Sequence, residues 1–499
     1  MTQTPRLSEA TLKDAAAGSA GPAYVRSRLK PGIVHLGLGA FFRAHGALYT
    51  EDVLAEAGSS LDWGIIGVSL VRPDQHDRLA PQNCLYTALE RDRNLERARI
   101  VGCVLDVLVA RDDPGAVLAV MSDPATRIVS LTVTEKGYCH DPATGRLAEG
   151  HPDLIHDIEN PGEPRTAIGF IVEALDRRRE AGVPPFTVLS CDNIPHNGEF
   201  VRSLVVSFAQ SRDCGLAAWV EAHGAFPSTM VDRIVPATVP ADIVDVASLT
   251  GLVDEAPVVH ETFRQWVIED RFVDGHRPAW EHAGAELVDD VAPFELMKLR
   301  MLNGAHSALA YLGYLSGRET IVDAVADPAL RDYITRFWRD EVIPVVPPPP
   351  GTDLQAYADA LLARFSNPSI RHRTWQIAMD GSQKLPLRLL PTISDRLARD
   401  LPFPCLALAV AAWIRYVGGV DEKGLPIEVK DPLGADLRTA LDAAGENPER
   451  RVRTALGFQA IFGADLPRDE RFVTALTQAY GSIEELGARD AAGKLGKAV

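Results

Sequence analysis

Lys298, Asn303 and His306 lie within one apolar stretch, residues 294–306, that reads FELMKLRMLNGAH. On a regular helix advancing roughly 100° per residue the three fall within an arc of about 140°, so one face carries a cation, an amide and an imidazole. That inventory suits removal of a proton from a hydroxyl group while hydride leaves the same carbon. A lysine serves as the base if desolvation or a neighbouring cation brings its pKa toward the working pH. An asparagine amide can hold the reacting oxygen as it gains charge, each such donor being worth about 3 kcal/mol in the transition state. Gly304 and Ala305 are small enough to admit another element or a ligand. A partly exposed helix with a snorkelling lysine and a simply buried histidine has the same spacing, and this segment alone does not separate the two.

A second set of residues suits a nucleotide. Gly37-Leu38-Gly39-Ala40-Phe41-Phe42-Arg43 follows an apolar β-branched run and leads into a helical pattern. Two glycines there let the backbone turn tightly and approach a pyrophosphate, whose charge the amides of the helix N-terminus then meet. Gly37, Gly39, Phe41 and Arg43 are the candidate contacts. Phe42 stands where a third glycine is usual, so the motif by itself balances evenly against a structural turn. Downstream, Asp74 could accept hydrogen bonds from an adenosine ribose and repel a 2′-phosphate, favouring NAD over NADP, although Arg72 leaves room for the latter.

These residues need a scaffold, and the first half supplies short buried runs alternating with helical patterns, as parallel sheets with crossover helices require. Strands are expected over residues 33–38, 63–70, 127–134 and 186–191, with helices over 43–57 and 166–181. Beyond Pro293 strand patterns nearly vanish, and helices are expected over 294–315, 327–342, 354–365 and 406–417. The expected architecture is α/β: a Rossmann-type dinucleotide-binding domain over residues 1–290 and a mostly α-helical substrate-binding domain over 291–499. The junction falls near 289–293, and Pro347–Pro350 forms a stiff connector inside the second domain.

The 499 residues suffice for two or three cores, and 46% hydrophobic with 24% charged residues is ordinary globular usage. A formal charge of −17 opposes nucleic acid, and no stretch reaches the length of a membrane span. The six cysteines lie far apart, without the paired short spacing of structural zinc sites, so neither a disulfide framework nor a metal is expected. The opening residues lack the pattern of a secretory signal, and the cytoplasm is the expected compartment.

Six segments in order, GLGAFFRAH (37–45), SLTVTEKGYC (130–139), SCDNIPHNG (190–198), MVDRIVP (230–236), KLRMLNGAH (298–306) and DGSQKLP (380–386), resemble the polyol-specific long-chain dehydrogenase family, which includes mannitol 2-dehydrogenase and fructuronate reductase. The resemblance runs from about residue 23 to about residue 481. It implies an NAD-dependent, metal-independent dehydrogenase acting on a secondary alcohol of a sugar-derived chain, in a helical C-terminal domain paired with a dinucleotide-binding one. By position it makes Lys298 the general base, with Asn193 and Asn303 holding the reacting oxygen and His306 touching substrate. Glu135 would help the lysine exchange its proton with solvent, and Asp232 and Lys384 would line the polyol site, though Asp232-Arg233 could equally be a structural ion pair. Isolated protomers are the family's commoner habit.

Two departures stand out. Family members usually carry histidine at the position of Phe42, and mannitol dehydrogenases carry arginine at that of Gln376. RHRTWQIAMDGSQKLPLR (371–388) is closer to the fructuronate reductase branch, also called D-mannonate oxidoreductase, which turns the expectation toward D-mannonate and D-fructuronate. A carboxylate there needs a counter-charge, for which Arg300, Arg371, His372, Arg373 and Lys384 are candidates. Mannitol with fructose, or a pentitol such as arabinitol, stands next. A nucleotide-binding regulator without chemistry would be expected to lack the lysine or the asparagines.

Overall fold

A computed structural model describes residues 4–93, 95–141, 144–370 and 372–496. The chain forms two compact units, Met1–Ala292 and Pro293–Val499.

The first unit is built on five parallel strands, β1 (Pro31–Leu36), β2 (Gly64–Ser69), β3 (Val104–Val109), β4 (Ile128–Leu131) and β5 (Thr187–Ser190). Their order across the sheet is β3-β2-β1-β4-β5. The chain runs outward from β1 in one direction and returns to continue in the other, which leaves a crevice at the carboxyl ends of β1 and β4, the Rossmann arrangement. Alternate side chains feed two cores. Val34, Leu36, Ile66, Val68, Val129 and Leu131 pack under helices Ala167–Glu180 and Asn197–Arg212. Ile33, Ile65, Val104 and Ile128 face Leu48, Val53, Trp266 and Trp280 on the other side. Burial on both faces explains why these strands read as unbroken apolar runs.

Four of the five strands lie where the apolar runs predict them. The fifth, VLDVLV, was not expected. It is one of the two edges of the sheet and exposes Asp106, which interrupts its run. Two three-stranded sheets were also not anticipated: Leu95–Val101 with Tyr86–Asp92 and Val258–His260, and Glu286–Val288 with Gln265–Glu269 and Thr229–Asp232. The helix expected over 166–181 is Ala167–Glu180, capped by Thr166, whose hydroxyl accepts from the Gly169 amide at 2.9 Å. The single helix expected over 43–57 is two, Ala40–Ala44 and Gly46–Ala55, broken at His45. The backbone leaves the helical region there (φ −128°, ψ −89°) while the buried imidazole bonds the Gln265 carbonyl at 3.0 Å.

The second unit is helical. Pro404–Val417 is buried along nearly its whole length and forms the axis of one large core with Gly304–Leu315 and Glu470–Leu486. Leu354–Phe365 matches its expected span. The stretches expected as 294–315 and 327–342 are helical but not uniformly α: each contains a π-helical turn, at Lys298–Asn303 and at Phe337–Val342. Among the described residues no helix is long and apolar enough to cross a membrane.

Candidate active site

In the first unit the glycine turn follows β1. Gly37 adopts φ +89°, and a Cβ on it would lie 2.3 Å from the Thr132 carbonyl of the neighbouring chain end, so both conformation and space demand glycine. Gly39 differs. Among the described residues a Cβ there would meet only the Gly37 carbonyl, at 3.8 Å. An open cradle over a glycine at the start of a helix, at the carboxyl edge of β1, is the shape that a pyrophosphate fills.

The turn is held from below. Thr132 donates its hydroxyl proton to the Gly37 carbonyl at 2.8 Å, so the His35 ring nitrogen Nε2, 2.9 Å from that hydroxyl, must itself be the donor to it. Nδ1 is then the acceptor for Ser130, at 2.8 Å. Burial pushes the His35 pKa down to about 3 and keeps the ring neutral. Phe42 lies flat on it, centroids 3.4 Å apart and planes 7° from parallel. The residue that stands in place of the third glycine therefore serves the strand below the turn. Gly46 makes room for it, since a Cβ there would meet the Phe42 ring at 2.6 Å.

Arg43 requires a correction. Its guanidinium turns into the core, donating to the Ala256 carbonyl and lying 5.2 Å from the centre of the Tyr86 ring. That side chain is not placed to contact a cofactor. Phe41 packs partly buried against His45, at 5.1 Å between ring centres. Asp74 is exposed as the first residue of helix Asp74–Leu79. A cleft of about 610 Å³ opens beyond the carboxyl ends of β2 and β3, lined by Leu70, Val71, Ala110, Arg111 and Arg165 among others. In this topology that is the adenosine side of the crevice.

Glu135 and Asn193 stand exposed on the loops after β4 and β5. The residue joining these loops, passed over in the sequence, is Asp192. Its carboxylate accepts from the amides of Val133 and Thr134, each at 3.0 Å, and from the Tyr138 hydroxyl at 2.7 Å. Asp232 is buried at the end of its strand, which is tied to β5 by the Thr229 hydroxyl donating to the Ser190 carbonyl at 2.6 Å. The adjacent Arg233 donates to the carbonyls of Ala44 and Glu261.

In the second unit Lys298, 7% exposed, opens the first π-helical turn and Asn303 closes it. The Gly304 amide reaches back five residues to the Leu299 carbonyl. A turn of this kind advances roughly 85° per residue, which brings Lys298 and Asn303 to within about 65° and returns His306 to nearly the same side as the lysine. The π-turn thus gathers groups that a regular helix would spread. Trp338, on the other π-turn, donates its indole N–H to the Met301 carbonyl at 2.9 Å. Gly304 serves a neighbouring element: a Cβ there would lie 3.1 Å from the Arg388 carbonyl.

His306 is 6% exposed, and its Nε2 has no hydrogen-bond partner among the described residues. It stacks on Phe365 at 4.5 Å and meets His372 edge-on at 5.3 Å. Burial first, then the surrounding His372, Arg388, Arg364 and Lys298, holds its pKa well below the ordinary histidine value. The imidazole is neutral and can exchange hydrogen bonds with hydroxyl groups in either direction.

The other expected residues of this unit separate clearly. Lys384 is half-buried, its ammonium donating to the carbonyls of Ile377 and Met379. Gln376 and Arg373 are exposed, and Arg371 lies outside the described residues. Arg300 is paired with Asp395, and burial lowers the His372 pKa to about 4, so neither is a ready counter-charge for a carboxylate. Arg388, not anticipated, reaches the helix bearing Lys298, donating to the Ser307 hydroxyl at 3.2 Å. Among the described residues no group of three or more histidine, cysteine, aspartate or glutamate side chains is placed to hold a metal ion.

Comparison with known proteins divides the chain in the same way. Residues 31–282 match the mannitol dehydrogenase Rossmann domain and residues 290–484 the mannitol dehydrogenase C-terminal domain. The chain is 49% identical over 484 residues to D-mannonate oxidoreductase of Escherichia coli K12, covering 96% of this chain and 99% of that one. It is 42% identical to mannitol 2-dehydrogenase of Pyricularia oryzae over 93% of each chain. Among solved structures it is similar to mannitol 2-dehydrogenase of Pseudomonas fluorescens, in a ternary complex with NAD and D-mannitol, at 38% identity and a TM-score of 0.87, covering 99% of this chain and all of that one.

Proposed function

The chain belongs to the mannitol dehydrogenase family of oxidoreductases, and on that premise we propose that it interconverts D-mannonate and D-fructuronate with NAD, using Lys298 as the proton acceptor. The observation that carries the reading is the π-turn, which sets a buried lysine, an amide and a neutral imidazole along one side of a helix. In the oxidation direction the Lys298 amine takes the hydroxyl proton and the carbon–oxygen bond becomes a carbonyl. The amides of Asn303 and Asn193 donate to that oxygen as charge builds on it. His306 positions a neighbouring hydroxyl, and Glu135 passes the lysine's proton to solvent. Asp232, Lys384 and Gln376 hold the remainder of the sugar chain.

NAD supplies the hydride acceptor. Its pyrophosphate would rest over Gly39 against the helix start, and Asp74 is the group assigned to the ribose hydroxyls. The sugar acid is favoured over the polyol by the higher identity to D-mannonate oxidoreductase and by glutamine at position 376. The test is NADH oxidation by the purified protein with D-fructuronate and D-fructose side by side over concentration series. A large kcat/KM advantage for fructuronate supports the reading. Preference for fructose moves the assignment to a mannitol 2-dehydrogenase, and turnover of neither points to another polyol such as arabinitol.

A further inference from the structure

Thr134 has φ +64° and ψ 165°, a backbone conformation that glycine adopts freely and a β-branched residue hardly ever. Glu135 follows it at once. Such a conformation persists only where its surroundings over-determine it. Here Asp192 supplies the constraint, taking the amides of Val133 and Thr134 on its two carboxylate oxygens, each at 3.0 Å. The Tyr138 hydroxyl brings the far side of the loop onto the same carboxylate at 2.7 Å.

Asp192 is itself held from behind. The buried Asn197 amide donates to the Asp192 carbonyl at 3.0 Å and to the Thr229 carbonyl at 2.9 Å, while its oxygen accepts from the Thr229 amide at 2.9 Å. The carboxylate therefore joins the loop after β4 to the loop after β5 from a fixed point, with Asn193 next to it in the chain. Burial pushes the Asp192 pKa up, the three donors oppose the rise, and the charge of Glu135 adds to it, so the two carboxylates lie close enough to feel each other. A tie between two loops stabilises a fold equally well around an unstrained residue or a glycine. The strain at Thr134 has a use only if the course of the chain into Glu135 matters.

We propose that Asp192 is a positioning residue for the reaction: it holds Thr134 in its strained conformation and so sets Glu135, and through its own place in the chain Asn193, where proton exchange and the reacting oxygen need them. The inference rests on the roles given to Glu135 and Asn193 above and adds the residue on which both depend.

The test is a pair of double-mutant cycles, Asp192→Asn with Glu135→Gln and Asp192→Asn with Asn193→Ala. They are read as kcat for whichever of D-fructuronate and D-fructose the wild type reduces, with thermal melting beside each variant. Asparagine keeps the shape of Asp192 but sets its own N–H against one of the two amides, and the misplaced loop should lower kcat about 10- to 100-fold. If Asp192 acts by placing its neighbours, each second substitution should cost no more than about threefold further once the first is made. A loss due only to a weakened fold would instead multiply with that of each second variant, and full additivity in both cycles overturns the proposal while leaving the roles of Glu135 and Asn193 intact. Parental rates in the single variants Glu135→Gln and Asn193→Ala would refute those roles and the positioning role with them. If Asp192→Asn does not fold, both cycles are run in Thr134→Gly, where the strain that the carboxylate opposes is gone, and the same outcomes decide.

Discussion

The indole N–H of Trp338 donates to the carbonyl of Met301 at 2.9 Å, one π-helical turn bonding to another. The same indole ring lies 6.0 Å from Phe365, which stacks on His306. One buried side chain therefore supports both the turn that presents Lys298 and Asn303 and the ring beside them. Trp338→Phe keeps most of the packing and removes the donor, leaving a buried carbonyl one partner short at a cost of about 1–3 kcal/mol. The expected result is a kcat lowered about tenfold with NADH affinity unchanged. Stopped-flow turnover with an NADH titration checks it, and a kcat within twofold of the parent would remove Trp338 from the account.

Lys298→Ala should lose several orders of magnitude in turnover while binding NADH nearly normally, since the residues proposed to hold the cofactor belong to the other unit. Asn303→Ala should cost about 100-fold in kcat, the usual effect of removing one donor to a charged oxygen. Steady-state rates settle both, and a lysine variant within about tenfold of the parent excludes Lys298 as the base.

The two glycines of the turn should fail differently. Gly37→Ala meets a left-handed backbone and a carbonyl 2.3 Å from the new methyl group, so the melting temperature should fall by on the order of 5 °C or more. Gly39→Ala meets open space, so the fold should be untouched while the dissociation constant for NADH rises about tenfold or more. Calorimetry and fluorescence titration separate the two, and equal melting losses would contradict the cradle over Gly39.

His35 gives a pH prediction whose sign is fixed. Its folded pKa is about 3, against an ordinary value of 6.5. Between these values the unfolded chain binds a proton that the folded chain does not, so this residue's contribution is present above pH 6.5 and is lost as pH falls toward 3. From pH 7 to pH 5 the loss is about 2 kcal/mol. The buried carboxyls of Glu51 and Asp254, raised by burial, act in the opposite direction, so the comparison must be made against a variant. His35→Asn should lose about 2 kcal/mol less than the wild type between those pH values, as measured by urea denaturation. Identical losses would show that His35 titrates normally.

Much of the scaffold was legible because burial is periodic. β1, β2, β4 and β5 are apolar on both faces and announce themselves as runs, while the edge strand β3 escaped because Asp106 breaks its pattern. Likewise the helix expected over 166–181 is found at Ala167–Glu180, because its apolar spacing is a local pattern. Arg43 misled because its position in the turn says nothing of where a long side chain goes. Its partner, the Ala256 carbonyl, is 213 residues away.

The sequence by itself determined which groups are available and which element carries each: a glycine pair after a buried strand, and a lysine, an amide and an imidazole on one helix. Those are local facts, set by periodicity and by chemistry within a few residues. Only the tertiary structure decided how they are presented. The π-turn that draws Lys298 and Asn303 together is steadied by Trp338, 37 residues further on, and the neutrality of His306 and the approach of Arg388 come from burial and from segments distant in the chain. Desolvation and long-range hydrogen bonds exist only once the chain is packed, so no spacing along it could have displayed them.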